Sequence, residues 1–418
     1  MSSTVKDRRW QVTLSGTGIN LALGILYTWS IFKGAIEASI KTGGEGAFNW
    51  DLASTNTPYS VCCLVFAFAM ILAGKCQDKF GPRITAFIGG VLVSIGLILI
   101  STTTTFGLWV LGFGLLAGAG IGFGYSAATP PALKWCPPSK TGFVAGLVVA
   151  GFGLASVYIA PLSQYLLGIW GIQKSMLFFG IAFLFVVCGL STMLVNPPPD
   201  YVCEEVNAGG TAKKAAKPQN DINPSGMMKD GAFYIIWLIY FIGAGAGLMF
   251  ISSVTGMAKK SLGDMAFLAV ATVAIGNAGG RIIAGLLSDK IGRRLTLTLM
   301  LLFQCVLMLI AIPIVGKSSS AVILVLLATF IGFNYGTNLS LFPSLTKDKW
   351  GLKNFGINYG IVFTAWGIGG FIMPILSQKL YAKYHVYTYS FLTAAILLFI
   401  GVLLTFALKG EKETIKTI

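Results

Sequence analysis

The sequence predicts an all-α membrane protein of twelve transmembrane helices in two six-helix bundles. Three observations carry this reading. Of 418 residues, 55% are hydrophobic and 11% are charged, and the mean hydropathy is +0.78; soluble domains carry about 25% charge. Twelve apolar runs, each long enough for a ~30 Å hydrocarbon layer, alternate with Gly, Pro or charged residues. A ten-residue pattern follows the second run and recurs after the eighth.

In chain order, residues 1–9 form a short basic head and residues 10–32 the first span. A basic start before an apolar run also fits a signal peptide, but this run is too long for an h-region and no small-residue cleavage site follows. Residues 33–51 read as a mixed loop. Further spans are expected at 52–74, 84–102, 106–131, 141–168 and 172–195. Three prolines, Pro197, Pro198 and Pro199, then stop the helix. Residues 196–230, with Glu204, Glu205, Lys213, Lys214 and Lys217, read as a flexible, solvated linker on the cytoplasmic side. Six spans follow at 232–256, 265–288, 295–315, 319–345, 355–380 and 388–408, and residues 409–418 form a polar tail. The expected division is 1–195 for the first bundle, 196–230 for the linker and 231–418 for the second bundle.

The net charge of +15 suggests nucleic acid at first sight. The placement of the charge argues otherwise. By this topology 21 basic residues lie on the side of the termini and 8 on the opposite side, which is the positive-inside pattern and puts both termini in the cytoplasm. No nucleic-acid partner is expected; the partners are the lipid bilayer, a small solute and protons. The 52 glycines fit close helix packing in lipid. Cys62, Cys63, Cys76, Cys136, Cys188, Cys203 and Cys305 lack metal spacing and are expected as free thiols. No metal or cofactor is expected. A monomer in the plasma (inner) membrane is expected, with many passes.

The repeated pattern is G-x-x-x-D-x-x-G-x-R. It runs from Gly74 through Asp78 and Gly81 to Arg83, and again from Gly285 through Asp289 and Gly292 to the pair Arg293 and Arg294. The glycines permit a tight helix–loop–helix turn. The aspartate can cap or salt-bridge a neighbouring helix end, and the arginine can anchor in anionic headgroups. Two copies in register are a specific signal. Here the chain resembles the major facilitator superfamily. That resemblance implies two bundles around one central site, reached alternately from each side.

The most costly residue is Arg281, in the apolar run holding Asn277, Gly279 and Gly280. It lies eight residues before Asp289, hence ~12 Å into the membrane. An arginine at such a depth costs at least ~2.5–3.5 kcal/mol. All fifteen acidic residues are assigned to loops, tails or span ends, so no fixed carboxylate meets it in the core. Its planar fork suits a carboxylate that binds and leaves. The plainer alternative is an arginine bonded to backbone carbonyls of broken helices. One cation matches one carboxylate, since a dianion would leave a second charge unmatched in low dielectric. A small monocarboxylate is therefore expected. Asn277 lies one turn away on the same face. Tyr125, which closes a glycine-rich run, and Tyr335 lie at a similar depth. Tyr27, Phe363 and Trp366 are expected as apolar walls. For each aromatic taken alone, core packing is the plainer role. The glycine run also loosely matches a dinucleotide fingerprint, but it lacks the preceding strand and the acidic residue that such a site needs.

Residues 341–348 (Leu-Phe-Pro-Ser-Leu-Thr-Lys-Asp), Gly351, Asn354, Gly356 and the triplet Asn358, Tyr359 and Gly360 resemble the oxalate/formate antiporter branch. That branch is similar to the monocarboxylate transporters. The resemblance implies an arginine in the eighth helix as carboxylate anchor, the place held by Arg281, and aromatic site positions at Tyr27 and Tyr125. The chain departs from both patterns. Trp366 stands where an oxalate exchanger has a lysine. Asn277 stands where monocarboxylate transporters have an aspartate. The expectation is a secondary transporter of a lactate-like monocarboxylate, with proton symport favoured and anion exchange as the alternative. His385 near the outer end reads as a solvated residue, and Asp264 as a candidate rim proton carrier. A cation-driven drug exporter would need an acidic residue within a span. An enzyme would need a nucleophile–base or metal cluster. A receptor or scaffold would have no use for Arg281.

Overall fold

A peptide chain in lipid has no water for its N–H and C=O groups, so long apolar runs there must be helical. The computed structural model describes residues 7–408 apart from 45, 52–53, 56, 199–200, 202–203, 207–211, 215–220, 263–265 and 316–319. Its helices are α1 (Arg9–Leu23), α2 (Trp29–Thr42), α3 (Thr57–Phe80), α4 (Pro82–Ser101), α5 (Phe106–Trp109), α6 (Gly118–Trp135) and α7 (Thr141–Ser191). After these come α8 (Pro224–Lys229), α9 (Gly231–Leu262), α10 (Ala266–Ile291), α11 (Arg293–Ile314), α12 (Ala321–Trp350), α13 (Phe355–Tyr384) and α14 (Thr388–Ala407). Ten helical stretches among the described residues are long and apolar enough to cross a membrane. One of them, Thr141–Ser191, is two helices joined at Gly171, whose φ of 72° no helix accommodates. The helix α10, which carries Arg281, lies outside those ten and brings the set to the twelve expected.

Several local expectations need correction. The first span does not end at Phe32. It continues through α2 to Thr42, interrupted by a 3-10 turn at Gly24–Thr28. Lys33 and Glu37 therefore lie on a helix, four residues apart and paired at 3.6 Å. The fourth span contains a π-helical stretch, Val110–Ala117, between α5 and α6. The linker is not featureless: β1 (Glu204–Val206) pairs antiparallel with β2 (Ala212–Lys214), setting Glu204 and Glu205 opposite Lys214 and Lys213. Cys203, Asp264 and Lys217 lie outside the described residues. Among the described residues, the other six cysteines are in no disulfide.

The chain forms two compact units. Unit 1 comprises Met1–Pro138, Leu154–Asp221 and Trp350–Ile361; unit 2 comprises Ser139–Gly153, Ile222–Lys349 and Val362–Ile418. The first turns of α7 thus group with unit 2, and the first turns of α13 with unit 1.

Within each unit the helices approach closely where side chains are absent. In unit 1, a Cβ on Gly118 or Gly122 would strike the carbonyl oxygens of Cys62 and Phe66 on α3. Close packing therefore accounts for this part of the glycine run. In unit 2, Gly276 and Gly280 of α10 meet the carbonyls of Thr329 and Phe333, while Gly332 and Gly336 of α12 meet those of Val273 and Asn277. This is mutual small-xxx-small packing. A second face of α10 meets the start of α7, where Gly142 abuts the Gly285 carbonyl and Gly146 that of Arg281. Backbone contact on two sides holds α10 firmly beneath Arg281.

The sequence repeat is also a repeat of contacts. In unit 1, Gly74 abuts the carbonyl of Gly356, and Gly360 that of Met70. Met70 lies four residues before Gly74, as Arg281 lies four before Gly285. The first half thus carries an uncharged residue where the second carries its arginine.

Candidate functional site

Arg281 is fully buried in unit 2. Its Nε donates to Asn277 Oδ1 at 2.9 Å, and its Nη1 donates to the backbone carbonyl of Val149 on α7. Nη2 is buried and has no hydrogen-bond partner among the described residues. None of the ion pairs among the described residues includes Arg281. One edge of the guanidinium is therefore fixed by protein. Buried donors almost always find an acceptor, and an unmatched buried cation is costly. Arg281 thus bonds a backbone carbonyl, as the plainer alternative has it, through one terminal nitrogen of its fork.

Asn277 is engaged with Arg281 itself, so in this arrangement it orients the guanidinium. Gly153 of α7 contributes by what it lacks: a Cβ there would lie 3.4 Å from Nε. The contribution of α7 was missed from sequence, although the glycines at 142, 146 and 153 share a helical face and were a usable signal.

The aromatic positions of unit 2 form one group. Trp366 Nε1 donates to the Tyr335 hydroxyl at 2.9 Å. Phe363 stacks on Trp366 with centroids 5.0 Å apart, and Tyr240 stacks on Phe342 at 4.0 Å. All five are buried. The expected polar Tyr335 and apolar Trp366 are thus coupled. Asn334 is also buried: its Nδ2 donates to Phe330 O, and its Oδ1 has no hydrogen-bond partner among the described residues.

In unit 1, Tyr125 is buried with its ring edge-on to Phe66 at 5.5 Å. Tyr27 lies in the 3-10 turn that breaks the first span. Mid-span 3-10 turns often mark hinges.

The repeated loops act through their aspartates. Asp78 accepts from the N–H groups of Gly356 and Ile357 at 3.1 and 3.0 Å, at the start of α13 in unit 1. In unit 2, Asp289 accepts from Gly142 and Phe143 at 2.8 and 2.9 Å, at the start of α7. A carboxylate at a helix N-terminus satisfies free donors and meets the positive end of the dipole. Gly81 and Gly292, at φ of 86° and 91°, make the turns. Gly74 and Gly285 serve close packing and not the turn. Arg83 is exposed. Arg293, expected as a headgroup anchor, is instead buried and ion-paired with Asp289 and, at 2.8 Å, with Asp348. Its neighbour Arg294 faces the Phe406 ring. Lys347 donates to Thr141 Oγ1 in the same region. Among the described residues no group of three or more His, Cys, Asp or Glu side chains could hold a metal ion.

Comparison with known proteins decides the family. The model of the Major Facilitator Superfamily matches residues 13–350 and 236–417. The chain belongs to the major facilitator superfamily. It is 29% identical over 379 residues to the uncharacterized transporter YhjX of Escherichia coli, covering 88% of this chain and 87% of that one. It is 26% identical over 349 residues to the oxalate:formate antiporter of Oxalobacter formigenes, covering 82% and 77%. It is 26% identical over 400 residues to monocarboxylate transporter 13 of Bos taurus, covering 94% and 87%. The fold matches the human organic anion transporter MFSD10 with a TM-score of 0.72 at 13% identity, covering 96% and 99% of the two chains. This facilitator is a multi-pass secondary transporter and not an enzyme.

Proposed function

We propose that this facilitator moves a small, lactate-like monocarboxylate by alternating access, in symport with a proton. The observation that carries the proposal is the buried Arg281 guanidinium, whose Nη2 has no hydrogen-bond partner among the described residues. A carboxylate oxygen supplies the missing acceptor and neutralises the charge. Neutralisation lowers the cost of moving the occupied site out of water. Asn277 orients the fork, Tyr125 and Tyr335 complete the polar side, and Tyr27, Phe363 and Trp366 are the apolar walls. The similarity to a monocarboxylate transporter agrees with this cargo. The protein is taken to lie in the plasma (inner) membrane as a monomer, with both termini cytoplasmic and six spans on each side of the linker.

Anion exchange is the second reading. It is favoured by the similarity to an oxalate:formate antiporter and needs no proton-binding site. Uptake of labelled lactate, formate and oxalate into proteoliposomes, with and without a pH gradient, separates the two. Symport predicts lactate uptake that rises with an inward proton gradient. Stimulation only by a trans anion would replace symport with exchange, and oxalate uptake equal to that of lactate would remove the monocarboxylate assignment.

Trp366→Lys tests the charge count. A second cation matches a second carboxylate, so the ratio of oxalate to lactate uptake is expected to rise at least ~10-fold, a gain of ~1.4 kcal/mol. An unchanged ratio in the same assay contradicts the argument.

A further inference from the structure

The geometry points to Asp221, at the end of the central linker, as a positioning residue for the entry of α13. The inference goes beyond the cargo and holds whichever anion is carried.

In unit 1, Asp221 Oδ1 accepts from the backbone N–H groups of Leu352 and Lys353 at 3.1 and 2.9 Å. These precede the two N–H groups held by Asp78, those of Gly356 and Ile357. Four backbone donors within six residues are thus gathered by two carboxylates, one from the repeated loop and one from the linker. Gly351, at φ 83°, turns the chain from α12 into this segment. Lys134 on α6 is within electrostatic reach of both carboxylates.

The linker is fixed again just downstream. Asn223 Oδ1 accepts from Gly226 N at 2.8 Å and caps α8, whose Met227 is fully buried. In unit 2, Asp230 Oδ1 accepts from Ala232 N at 3.0 Å, and its Oδ2 pairs with Lys349 at 3.7 Å. The segment from Asp221 to Asp230 is therefore tied at both ends to residues of the α12–α13 junction, and is more than a tether.

The same helix carries Phe363 and Trp366 farther on. Any motion that frees the first turns of α13 has to undo these bonds. With Asp221 in place, release must break the Asp221 bonds as well as those of Asp78. Without it, the bonds from Asp78 to Gly356 and Ile357 remain.

Hydrogen–deuterium exchange on the full-length protein in lipid nanodiscs tests this without any cargo. In Asp221→Ala the amides of Leu352 and Lys353 are expected to exchange at least ~10-fold faster. Those of Gly356 and Ile357 are expected to exchange several-fold faster too, although Asp78 is intact. Asp221→Glu, which keeps the carboxylate, is expected to stay within about threefold of wild type at all four. Exchange across α11 serves as the control for folding. Asp221→Leu, which keeps a similar volume and removes both acceptor oxygens, repeats the test if the alanine variant alters α11. Unchanged exchange at Leu352 and Lys353, or a change confined to those two amides, would overturn the positioning role.

Discussion

Arg281→Lys is expected to lower lactate uptake in proteoliposomes by ~100-fold or more, although the charge is retained. A lysine cannot reproduce the arrangement at this position. Arg281 bonds Asn277 through Nε and the Val149 carbonyl through Nη1, and its buried Nη2 has no hydrogen-bond partner among the described residues. An ammonium has three donors on one atom and no fork. Hydrogen bonds to a charged group contribute roughly 1.5–3 kcal/mol each, so losing two of them accounts for the expected fall. Asn277 and Val149 also lose their donor, which adds to the loss. Uptake within threefold of wild type would show that Arg281 serves only to brace α10 against α7.

Asp289→Ala is expected to have the largest effect on stability. Asp289 serves three partners: the N–H groups of Gly142 and Phe143, and the Arg293 guanidinium. Arg293 is buried, so deleting one of its two carboxylates leaves charge poorly matched away from water. Removing one partner of a buried pair costs roughly 3–5 kcal/mol. The equivalent Asp78→Ala is expected to cost less, about 1–2 kcal/mol, because Asp78 caps α13 without a directly paired arginine. Melting of the two purified variants, followed by tryptophan fluorescence in detergent, checks the difference. Equal shifts would show that Arg293 is satisfied by Asp348 alone.

How much of this was legible beforehand follows from what each feature depends on. The span positions were readable because length and apolarity are properties of composition. The aspartate caps were readable because two copies of one pattern occupied equivalent places. The break at Gly24–Thr28 was not readable, since a 3-10 turn in an apolar run leaves no mark on hydropathy. The extension through α2 was missed because Lys33, Glu37 and Lys41 looked like a loop; their spacing of four is that of a helix, and Lys33 and Glu37 do pair. Adjacent Arg293 and Arg294 look equivalent in sequence. One helical step of ~100° sends the first inward to two carboxylates and the second outward to Phe406. For Arg281, its place inside a long apolar run was legible, and the structure buries it. Its bond to Val149 was not, because that depends on the glycine-lined approach of α7.

The central claim is that one buried fork takes one carboxylate. Equilibrium binding of labelled lactate and of labelled oxalate to the purified protein at neutral pH tests it most directly. The account predicts saturable lactate binding at one site per chain, at least ~10-fold tighter than oxalate. Oxalate binding as tightly as lactate, or more tightly, would contradict it.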